Sequence, residues 1–176
     1  MRRAVFLDRD GVLNRIVVRP DIGVGSPRSL DELEITPGAM DALMQLRHAG
    51  FLLICVTNQP ELAQGKLDRA VLEAMHDRLR RELPLDDLLM CPHDDAAGCE
   101  CRKPKPGLLT AAAAKHGIDL PTSFMVGDRW RDVEASKAAG CVTVFLDGGY
   151  EERRPAVEPD AVVRSLQEAA EWILLQ

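Results

Sequence analysis

The sequence has few aromatic residues, no long apolar stretch and no long basic run. Aromatic residues make up 4% of the 176 positions, which leaves no visible stacking platform for nucleic-acid bases. The net charge of −6 also disfavours binding to a nucleic-acid backbone. No apolar stretch approaches the roughly 20 residues that a membrane span needs. We therefore expect neither nucleic acid nor membrane among the partners of this chain.

The amino terminus has no signal-peptide core, because Asp8 interrupts the apolar run that follows Arg2 and Arg3. We therefore infer a cytoplasmic protein, whose cysteines stay reduced. The chain is 46% hydrophobic and 28% charged, which is typical of a globular protein with one sizeable core. We expect a single domain over residues 1–176 that works as a monomer.

Apolar runs typical of buried strands alternate with helical patterns along the chain. The strand candidates cover residues 4–7, 51–56, 123–126 and 141–146, with weaker ones at 85–90 and 161–163. Helices are indicated from Thr36–Pro37, after Asp68, over 107–116 and 131–139, and from a capping box at Ser165. This alternation predicts a three-layer α/β/α sandwich with a mainly parallel, Rossmann-like sheet. The insertions are too short for a cap domain.

Two acidic residues follow the first apolar run. Asp8 and Asp10 are separated by one residue, and Gly11 lets the chain turn sharply after them. Both carboxylates can face the crevice at the end of a parallel strand, because residues i and i+2 share one side of an extended chain. Carboxylates so close repel each other unless a cation lies between them or one of them holds a proton. Mg²⁺ satisfies the first condition, because it prefers hard oxygen ligands. The alternative is a strand that ends in a solvated acidic turn.

Other strand ends carry further polar residues. Thr57 and Asn58 follow the second run, Lys103 follows a cysteine-rich loop, and Asp128 follows Gly127. Each of these alone is more often a simple turn or a solvated charge. Together, at one edge of a parallel sheet, carboxylates, a hydroxyl and an ammonium form the set that phosphoryl transfer needs, because cations must stabilise charge on the transferring oxygens.

Four short motifs, taken in order, resemble those of the haloacid dehalogenase-like (HAD-like) phosphatases. They are Asp8-Arg9-Asp10-Gly11, Thr57-Asn58, Lys103-Pro104 and Gly127-Asp128-Arg129-Trp130-Arg131-Asp132. The loop over residues 91–104 is similar to that of the small, capless, zinc-carrying branch of this family, which includes phosphatases of heptose bisphosphates and of histidinol phosphate. The resemblance covers residues 4 to about 146 and implies a HAD-like fold without a cap domain.

The resemblance implies a Mg²⁺-dependent phosphomonoester hydrolase. Asp8 would attack phosphorus and become a phosphoaspartate, and Asp10 would protonate the leaving alcohol and then activate water. Mg²⁺ would be held by Asp8, by Asp10 through its backbone carbonyl, and by Asp128. Thr57 and Lys103 would steady the transferring phosphoryl group.

For substrate binding, the resemblance implies Asn58, Gln59, Arg102 and Arg129. It makes Asp132 a buttress of its loop rather than a direct metal ligand. The chain departs from the pattern after Gln59, where the next two residues are Pro-Glu rather than the Ser-Gly usual in heptose phosphatases. The resemblance therefore predicts the reaction type of this chain, but it does not predict the substrate.

A bisphosphorylated sugar such as D-glycero-D-manno-heptose 1,7-bisphosphate is the first expectation for the substrate, because Arg28, Arg102 and Arg129 could meet a second phosphate. Histidinol phosphate is the second expectation, and another small phosphorylated metabolite is the third. Two other classes stay open. One is a regulatory phosphoacceptor without turnover, against which Asp10 argues because an acid/base group serves hydrolysis. The other is a zinc-stabilised binding module whose acidic cluster is a relic.

The zinc prediction rests on four residues within eleven positions, Cys91, His93, Cys99 and Cys101. Three thiolates and one imidazole make a closed tetrahedral set, which is typical of structural Zn²⁺, although the spacing is tighter than in common zinc-finger knuckles. Disulfides are not expected in the cytoplasm. We predict that Zn²⁺ fixes the loop that presents the following Arg-Lys pair.

Two further features of the sequence indicate no chemical role. Residues 15–33 are rich in Pro, Gly and Ser without a clear period, which is typical of a long excursion or flap above the strand end. His48, His76 and His116 lie on predicted helices, and we expect them at the surface.

Overall fold

Strands and helices alternate along the chain in this computed structural model, which describes residues 1–20 and 23–176. The strands are β1 (Ala4–Leu7), β2 (Val17–Arg19), β3 (Gly23–Gly25), β4 (Leu52–Asn58), β5 (Asp87–Cys91), β6 (Phe124–Gly127), β7 (Val142–Leu146) and β8 (Ala161–Val163). The helices are α1 (Ala39–His48), α2 (Arg69–Glu82), α3 (Gly107–His116), α4 (Trp130–Ala139) and α5 (Leu166–Leu174). None of the helices in these ranges is long and apolar enough to cross a bilayer.

The main sheet has six parallel strands in the order β5-β4-β1-β6-β7-β8. Strand β1 lies between β4 and β6, and all four of its residues are fully buried. The chain builds outward from β1 on one side through β4 and β5, and then returns to build the other side from β6. The carboxyl end of β1 is therefore the topological switch point, where ligands bind in open α/β sheets.

Helices cover both faces of the sheet, which confirms the predicted three-layer α/β/α sandwich. Val5 and Leu7 of β1 pack into one core with α1, α2 and α5. Ala4 and Phe6 face the opposite side and pack into a second core with α3 and α4. Alternate residues of one strand thus serve two cores, because successive side chains point to opposite faces of a sheet.

Two local features differ from the sequence-based expectation. Helix α1 begins at Ala39 after Gly38, whose positive φ of 78° is accessible to glycine, and Thr36 lies before the helix instead of capping it. The long excursion contains a short antiparallel hairpin of β2 and β3, and its positions 21 and 22 lie outside the described residues. By contrast, the Ser165 cap of α5 is confirmed, since its hydroxyl accepts a hydrogen bond from the Glu168 amide at 3.1 Å.

Candidate active site

The ammonium group of Lys103 lies at the carboxyl edge of the central strands. Its Nζ donates hydrogen bonds to Asp8 Oδ1 at 2.8 Å, to Asp132 Oδ1 at 2.6 Å and to the Val56 carbonyl at 2.8 Å. Burial alone would lower the pKa of Lys103, because it disfavours the charged form. The Asp132 and Asp8 carboxylates together have the larger effect and raise this pKa. Lys103 is therefore a buried cation that ties the loop after β5 to the end of β1.

A third carboxylate, Asp128, lies beside the two that bind this ammonium. Oxygen atoms of Asp8, Asp128 and Asp132 lie within 4.8 Å of one another. Burial, followed by the charge of Asp132, raises the pKa of Asp8 to about 6. Burial and the charges of Asp8 and Asp132 raise the pKa of Asp128 well above its usual value. The cluster therefore carries more negative charge than Lys103 alone neutralises.

One oxygen of this cluster has no hydrogen-bond partner among residues 1–20 and 23–176. Asp128 is 2% exposed, and its Oδ1 accepts no hydrogen bond from any described residue. A buried carboxylate oxygen without a partner is costly unless a cation or a donor meets it. Hard oxygen ligands in this number and at this spacing fit Mg²⁺, which usually takes one or two carboxylates together with phosphate and water.

The other Asp128 oxygen is held by Tyr150. The phenol donates a hydrogen bond to Asp128 Oδ2 at 2.5 Å. This close packing depends on two glycines, because a Cβ on Gly11 would collide with Asp128 Oδ2 and one on Gly148 would collide with the Tyr150 ring. Gly11 also has a φ of 88°, so both its backbone conformation and its surroundings require glycine. Tyr150 thereby fixes the orientation of the Asp128 carboxylate.

Asp10 lies in the opposite kind of environment. Its carboxylate accepts hydrogen bonds from Arg9 Nε and Nη2, Asn14 Nδ2, Ser26 Oγ and Gln59 Nε2 at 2.8 to 3.1 Å. Burial would raise the pKa of Asp10, but the Arg9 charge and the hydrogen bonds from these donors lower it instead. The free protein therefore holds Asp10 in the ionised state.

The guanidinium that supports Asp10 is itself buried. Arg9 is 0% exposed, and its Nη1 lies 3.2 Å from Nε2 of His76. His76 is 1% exposed, so the prediction that it lies at the surface was wrong. Burial, followed by the charge of Arg9, lowers the pKa of His76 to about 3. The neutral imidazole consequently accepts a hydrogen bond from Arg9.

Residues at the end of β4 connect the two aspartate environments. The Gln59 amide donates to Asp10 Oδ2 at 2.9 Å and to Thr57 Oγ1 at 3.0 Å, and Gln59 is 0% exposed. The Asn58 side chain donates to the Lys103 carbonyl at 3.0 Å and accepts from the Lys103 amide at 3.1 Å. Gln59 thus lies behind the cleft between Thr57 and Asp10, whereas Asn58 lies at its wall and holds the Lys103 backbone.

A polar cleft of about 180 Å³ opens over Asp8 and is lined by three arginines, Arg102, Arg129 and Arg131. Arg102 Nε donates to Asp95 Oδ1 at 2.9 Å, and Arg131 contacts the same carboxylate at 3.1 Å. Arg129 pairs with Glu152 at 2.5 Å. The arginine of the flap, Arg28, pairs with Glu61 at 2.7 Å. Three guanidinium groups around one cleft suit an anionic ligand.

The four predicted zinc ligands lie together after β5. Cys91 Sγ is 3.5 Å from His93 Nδ1 and 3.6 Å from Cys99 Sγ, and Cys101 Sγ is 3.4 Å from His93 Nδ1 and 3.5 Å from Cys99 Sγ. Zn–S bonds of about 2.3 Å and a Zn–N bond of about 2.0–2.1 Å in a tetrahedron place such atoms about 3.5 to 3.8 Å apart. The spacing of the donors therefore fits a four-coordinate Zn²⁺ with no open position.

The structure brings the predicted catalytic residues Asp8, Asp10, Thr57 and Lys103, and the predicted Mg²⁺ ligand Asp128, to one edge of the sheet. Further residues that contact this group, or in the case of His76 contact Arg9, had no role predicted from the sequence: Arg9, Asn14, Ser26, His76, Arg131 and Tyr150. Arg131 could have been found from the sequence, because it lies in the first turn of the helix that follows a predicted strand end. The contacts of Ser26, His76 and Tyr150 join segments far apart in the sequence, so no local pattern encodes them.

The chain is similar in sequence to known phosphatases. A family model described as HAD-hydrolase-like matches residues 100–169. A D-glycero-beta-D-manno-heptose-1,7-bisphosphate 7-phosphatase of Pseudomonas aeruginosa is 40% identical over 154 residues, which cover 84% of this chain and 83% of that protein. The protein of the same name from Bordetella bronchiseptica is 38% identical over 152 residues, covering 84% and 82% of the two chains.

Solved structures show the same similarity. The crystal structure of the D,D-heptose 1,7-bisphosphate phosphatase of B. bronchiseptica, complexed with magnesium and phosphate, superposes with a TM-score of 0.78 at 34% identity and 98% coverage of both chains. The crystal structure of a HAD-like phosphatase from Mesorhizobium loti gives a TM-score of 0.74 at 28% identity, covering 98% of this chain and 87% of that one.

Proposed function

Because the chain belongs to the HAD-like phosphatases, in the family that includes the heptose-bisphosphate phosphatases, we propose that it hydrolyses a small phosphorylated sugar through a phosphoaspartate on Asp8. The observation that carries this proposal is the cluster at the end of β1. There two buried carboxylates, Asp8 and Asp132, share one ammonium, and a third carboxylate beside them, Asp128, has an oxygen, Oδ1, without a partner among the described residues. Such a site attracts a cation and, with it, a phosphate group.

Two steps follow from this arrangement. A carboxylate oxygen of Asp8 attacks phosphorus while the leaving alcohol oxygen takes a proton from Asp10, so that the P–O bond to the substrate breaks. The dianionic phosphate near Asp10 favours the protonated form that this step needs. Asp10, ionised again, then removes a proton from water, which attacks phosphorus and releases Asp8 and inorganic phosphate. Lys103 and Thr57 steady the transferring oxygens throughout.

The residues that would hold Mg²⁺ are Asp8, Asp128 and the backbone carbonyl of Asp10. When bound, the ion would neutralise the crowded carboxylates and the charge on the transferring oxygens. Asp132 uses one oxygen for Lys103 and the other for the Arg129 amide at 3.0 Å. Both Asp132 oxygens are thus already engaged, which supports its role as a buttress.

We also propose that Cys91, His93, Cys99 and Cys101 hold a structural Zn²⁺. The last of these ligands directly precedes Arg102, so the ion would fix the loop that delivers Arg102 and Lys103 to the cleft. Elemental analysis should find about one zinc per chain, in line with a closed four-ligand site. Cys101→Ser should lose the metal and lower the melting temperature, whereas a metal-free protein of unchanged stability would contradict the proposal.

The proposed substrate is a sugar bisphosphate such as D-glycero-D-manno-heptose 1,7-bisphosphate. The relatives named above act on such a compound by their names, and the three arginines that line the cleft here can meet a second phosphate. Histidinol phosphate carries a cationic amine, which the same arginines would repel. We also propose that the protein is cytoplasmic and works as a single-domain monomer. Sedimentation analysis tests the oligomeric state.

The experiment compares substrates and arginine variants in the presence of Mg²⁺. The wild type should release phosphate from the heptose bisphosphate with a higher kcat/KM than from histidinol phosphate or 4-nitrophenyl phosphate. Charge-assisted hydrogen bonds predict that Arg102→Ala lowers kcat/KM on the bisphosphate by roughly 10- to 200-fold, with a much smaller loss on the aryl phosphate. Arg131→Ala should also lower kcat/KM on the bisphosphate more than on the aryl phosphate.

Arg80→Ala serves as the matched control, because Arg80 pairs with Asp77 on the surface of α2. It should leave kcat/KM unchanged on every substrate. An equal loss on sugar and aryl phosphates in Arg102→Ala would place Arg102 in the chemical step and remove the main argument for a bisphosphate. Absence of Mg²⁺-dependent phosphate release from all substrates would refute the proposed activity itself.

A further inference from the structure

We propose that His76 is a positioning residue for the chemical step, because it holds the Arg9 guanidinium against Asp10. The inference rests on the proposed function, in which Asp10 protonates the leaving group. His76 does not touch the cleft itself. It acts through Arg9, so its effect should be confined to the work that Asp10 does.

The contacts of Arg9 account for the direction of this effect. The guanidinium is planar and rigid, and its Nε and Nη2 both donate to the Asp10 carboxylate at 3.0 and 3.1 Å. The remaining nitrogen, Nη1, lies 3.2 Å from His76 Nε2. Because all three nitrogens belong to one plane, an acceptor on Nη1 sets the angle at which the other two meet Asp10.

The position of His76 makes a packing role alone a poor explanation. It lies on α2 beside Leu72, Met75 and Leu79, which form a fully buried apolar stripe in the core. A leucine would fill such a position without the cost of burying an imidazole. The imidazole instead supplies what leucine cannot, a neutral acceptor for a buried guanidinium N–H.

Asp10 has other donors, which limits the expected loss. Asn14, Ser26 and Gln59 continue to hold its carboxylate if Arg9 shifts. Replacement of His76 should therefore misplace Asp10 without releasing it. We expect a loss of roughly 10-fold, against the roughly 100-fold or more that general acid catalysis contributes when Asp10 itself is replaced.

Leaving-group dependence separates this role from a structural one. The 4-nitrophenolate ion departs without a proton, whereas phenolate benefits from protonation. The value of kcat/KM reports the steps up to formation of the phosphoaspartate. His76→Leu should therefore lower kcat/KM on phenyl phosphate by roughly 10-fold and on 4-nitrophenyl phosphate by less than about 3-fold. Asp10→Asn should show the same pattern with a larger loss.

Two variants control for damage to the core. His76→Gln keeps an acceptor near the Nε2 position and should restore most of the activity on phenyl phosphate. Leu79→Ala creates a cavity on the same helix and should lower the melting temperature without changing the ratio between the two substrates. A wild-type ratio in His76→Leu would overturn the proposal and leave His76 as a core residue.

A second measurement tests the contact without catalysis. The Arg9 guanidinium protons should exchange slowly with solvent in the wild type, about 10-fold or more faster in His76→Leu, and slowly again in His76→Gln. Unchanged exchange in His76→Leu would overturn the proposal. Because this readout needs no substrate, a failure of the proposed phosphatase activity would be seen separately in the wild-type assay.

Discussion

Asp8 and Asp10 are two residues apart, yet their surroundings have opposite electrical character. Asp8 shares one ammonium with Asp132 and lies near Asp128, and its pKa is raised to about 6 chiefly by burial. Asp10 is surrounded by a guanidinium and three neutral donors, and its pKa is lowered. One side of the cleft therefore has an excess of negative charge, and the other side is balanced.

The difference shows how a single strand end can serve two chemical tasks. The carboxylate-rich side around Asp8 is unfavourable until a cation enters, which links folding free energy to ion and phosphate binding. The donor-rich side around Asp10 needs no ion, because Arg9 and its neighbours already satisfy the carboxylate. Substitutions on the two sides should consequently have different effects on activity and on stability.

The largest expected effect is the loss of turnover in Asp8→Asn. The amide cannot serve as the attacking oxygen, so phosphate release should fall by about 1,000-fold or more. The same substitution relieves the carboxylate excess, so the melting temperature in Mg²⁺-free buffer should be unchanged or higher. Phosphate-release assays and thermal unfolding check both parts. Near-normal turnover in a variant whose introduced amide is shown by mass spectrometry to be intact would exclude a phosphoaspartate.

Asp10→Asn should instead destabilise the protein. It leaves the buried Arg9 guanidinium without its carboxylate, and loss of one partner of a buried ion pair costs about 3 to 5 kcal/mol. Urea unfolding in Mg²⁺-free buffer measures this free energy, with Asp8→Asn as the matched control. An equal stability for the two variants would remove the distinction between the two sides of the cleft.

Mg²⁺ should stabilise the wild type at pH 7. An ion present at 100 times its dissociation constant adds about 2.7 kcal/mol to the free energy of unfolding. Asp128→Asn should lose most of this gain, because Asp128 supplies the oxygen that lacks a partner among the described residues. A titration of the melting temperature with Mg²⁺ in both proteins provides the test. The same gain in the variant would place the ion elsewhere.

The smallest effect is a pH dependence of the Mg²⁺-free protein. Because the pKa of Asp8 is raised from 3.8 to about 6, the folded state binds more protons than the unfolded state between these values. Stability should therefore fall as the pH rises, by about 1 to 1.5 kcal/mol between pH 5 and pH 7 from this carboxyl. The lowered pKa of Asp10 affects the free energy of unfolding only below about pH 4. Urea unfolding at both pH values should show a larger fall in the wild type than in Asp8→Asn, in which the raised pKa of Asp128 still contributes.

Much of the fold could be predicted because its signals are local. Apolar runs indicated the strands β1, β4, β6 and β7. Their alternation with helices indicated a parallel sheet, in which the carboxyl ends of the strands share one edge. The Ser165 cap was visible as a four-residue pattern. The cysteine-histidine cluster was predictable for a similar reason, since four such residues within eleven positions need only one local loop to become neighbours.

Contacts between distant segments could not be predicted in this way. His76 is 67 positions from Arg9 along the chain, and its helical periodicity says only that it shares a helix with apolar residues. Tyr150 meets Asp128 because a loop after β7 folds back over Gly148. Arg102 and Arg131 meet at Asp95 for the same kind of reason. Such contacts depend on how the layers pack.

The sequence alone therefore determined which chemical groups stand at the strand ends, because residue type and strand position are local properties. Only the tertiary structure decided how those groups are charged. The pKa of Asp8 rises because of burial and of Asp132 on α4, and that of Asp10 falls despite burial because of Arg9 and of donors from the loops after β1 and β3. Electrostatic energy depends on distance in space and on exclusion of water, and neither can be read from distance along the chain.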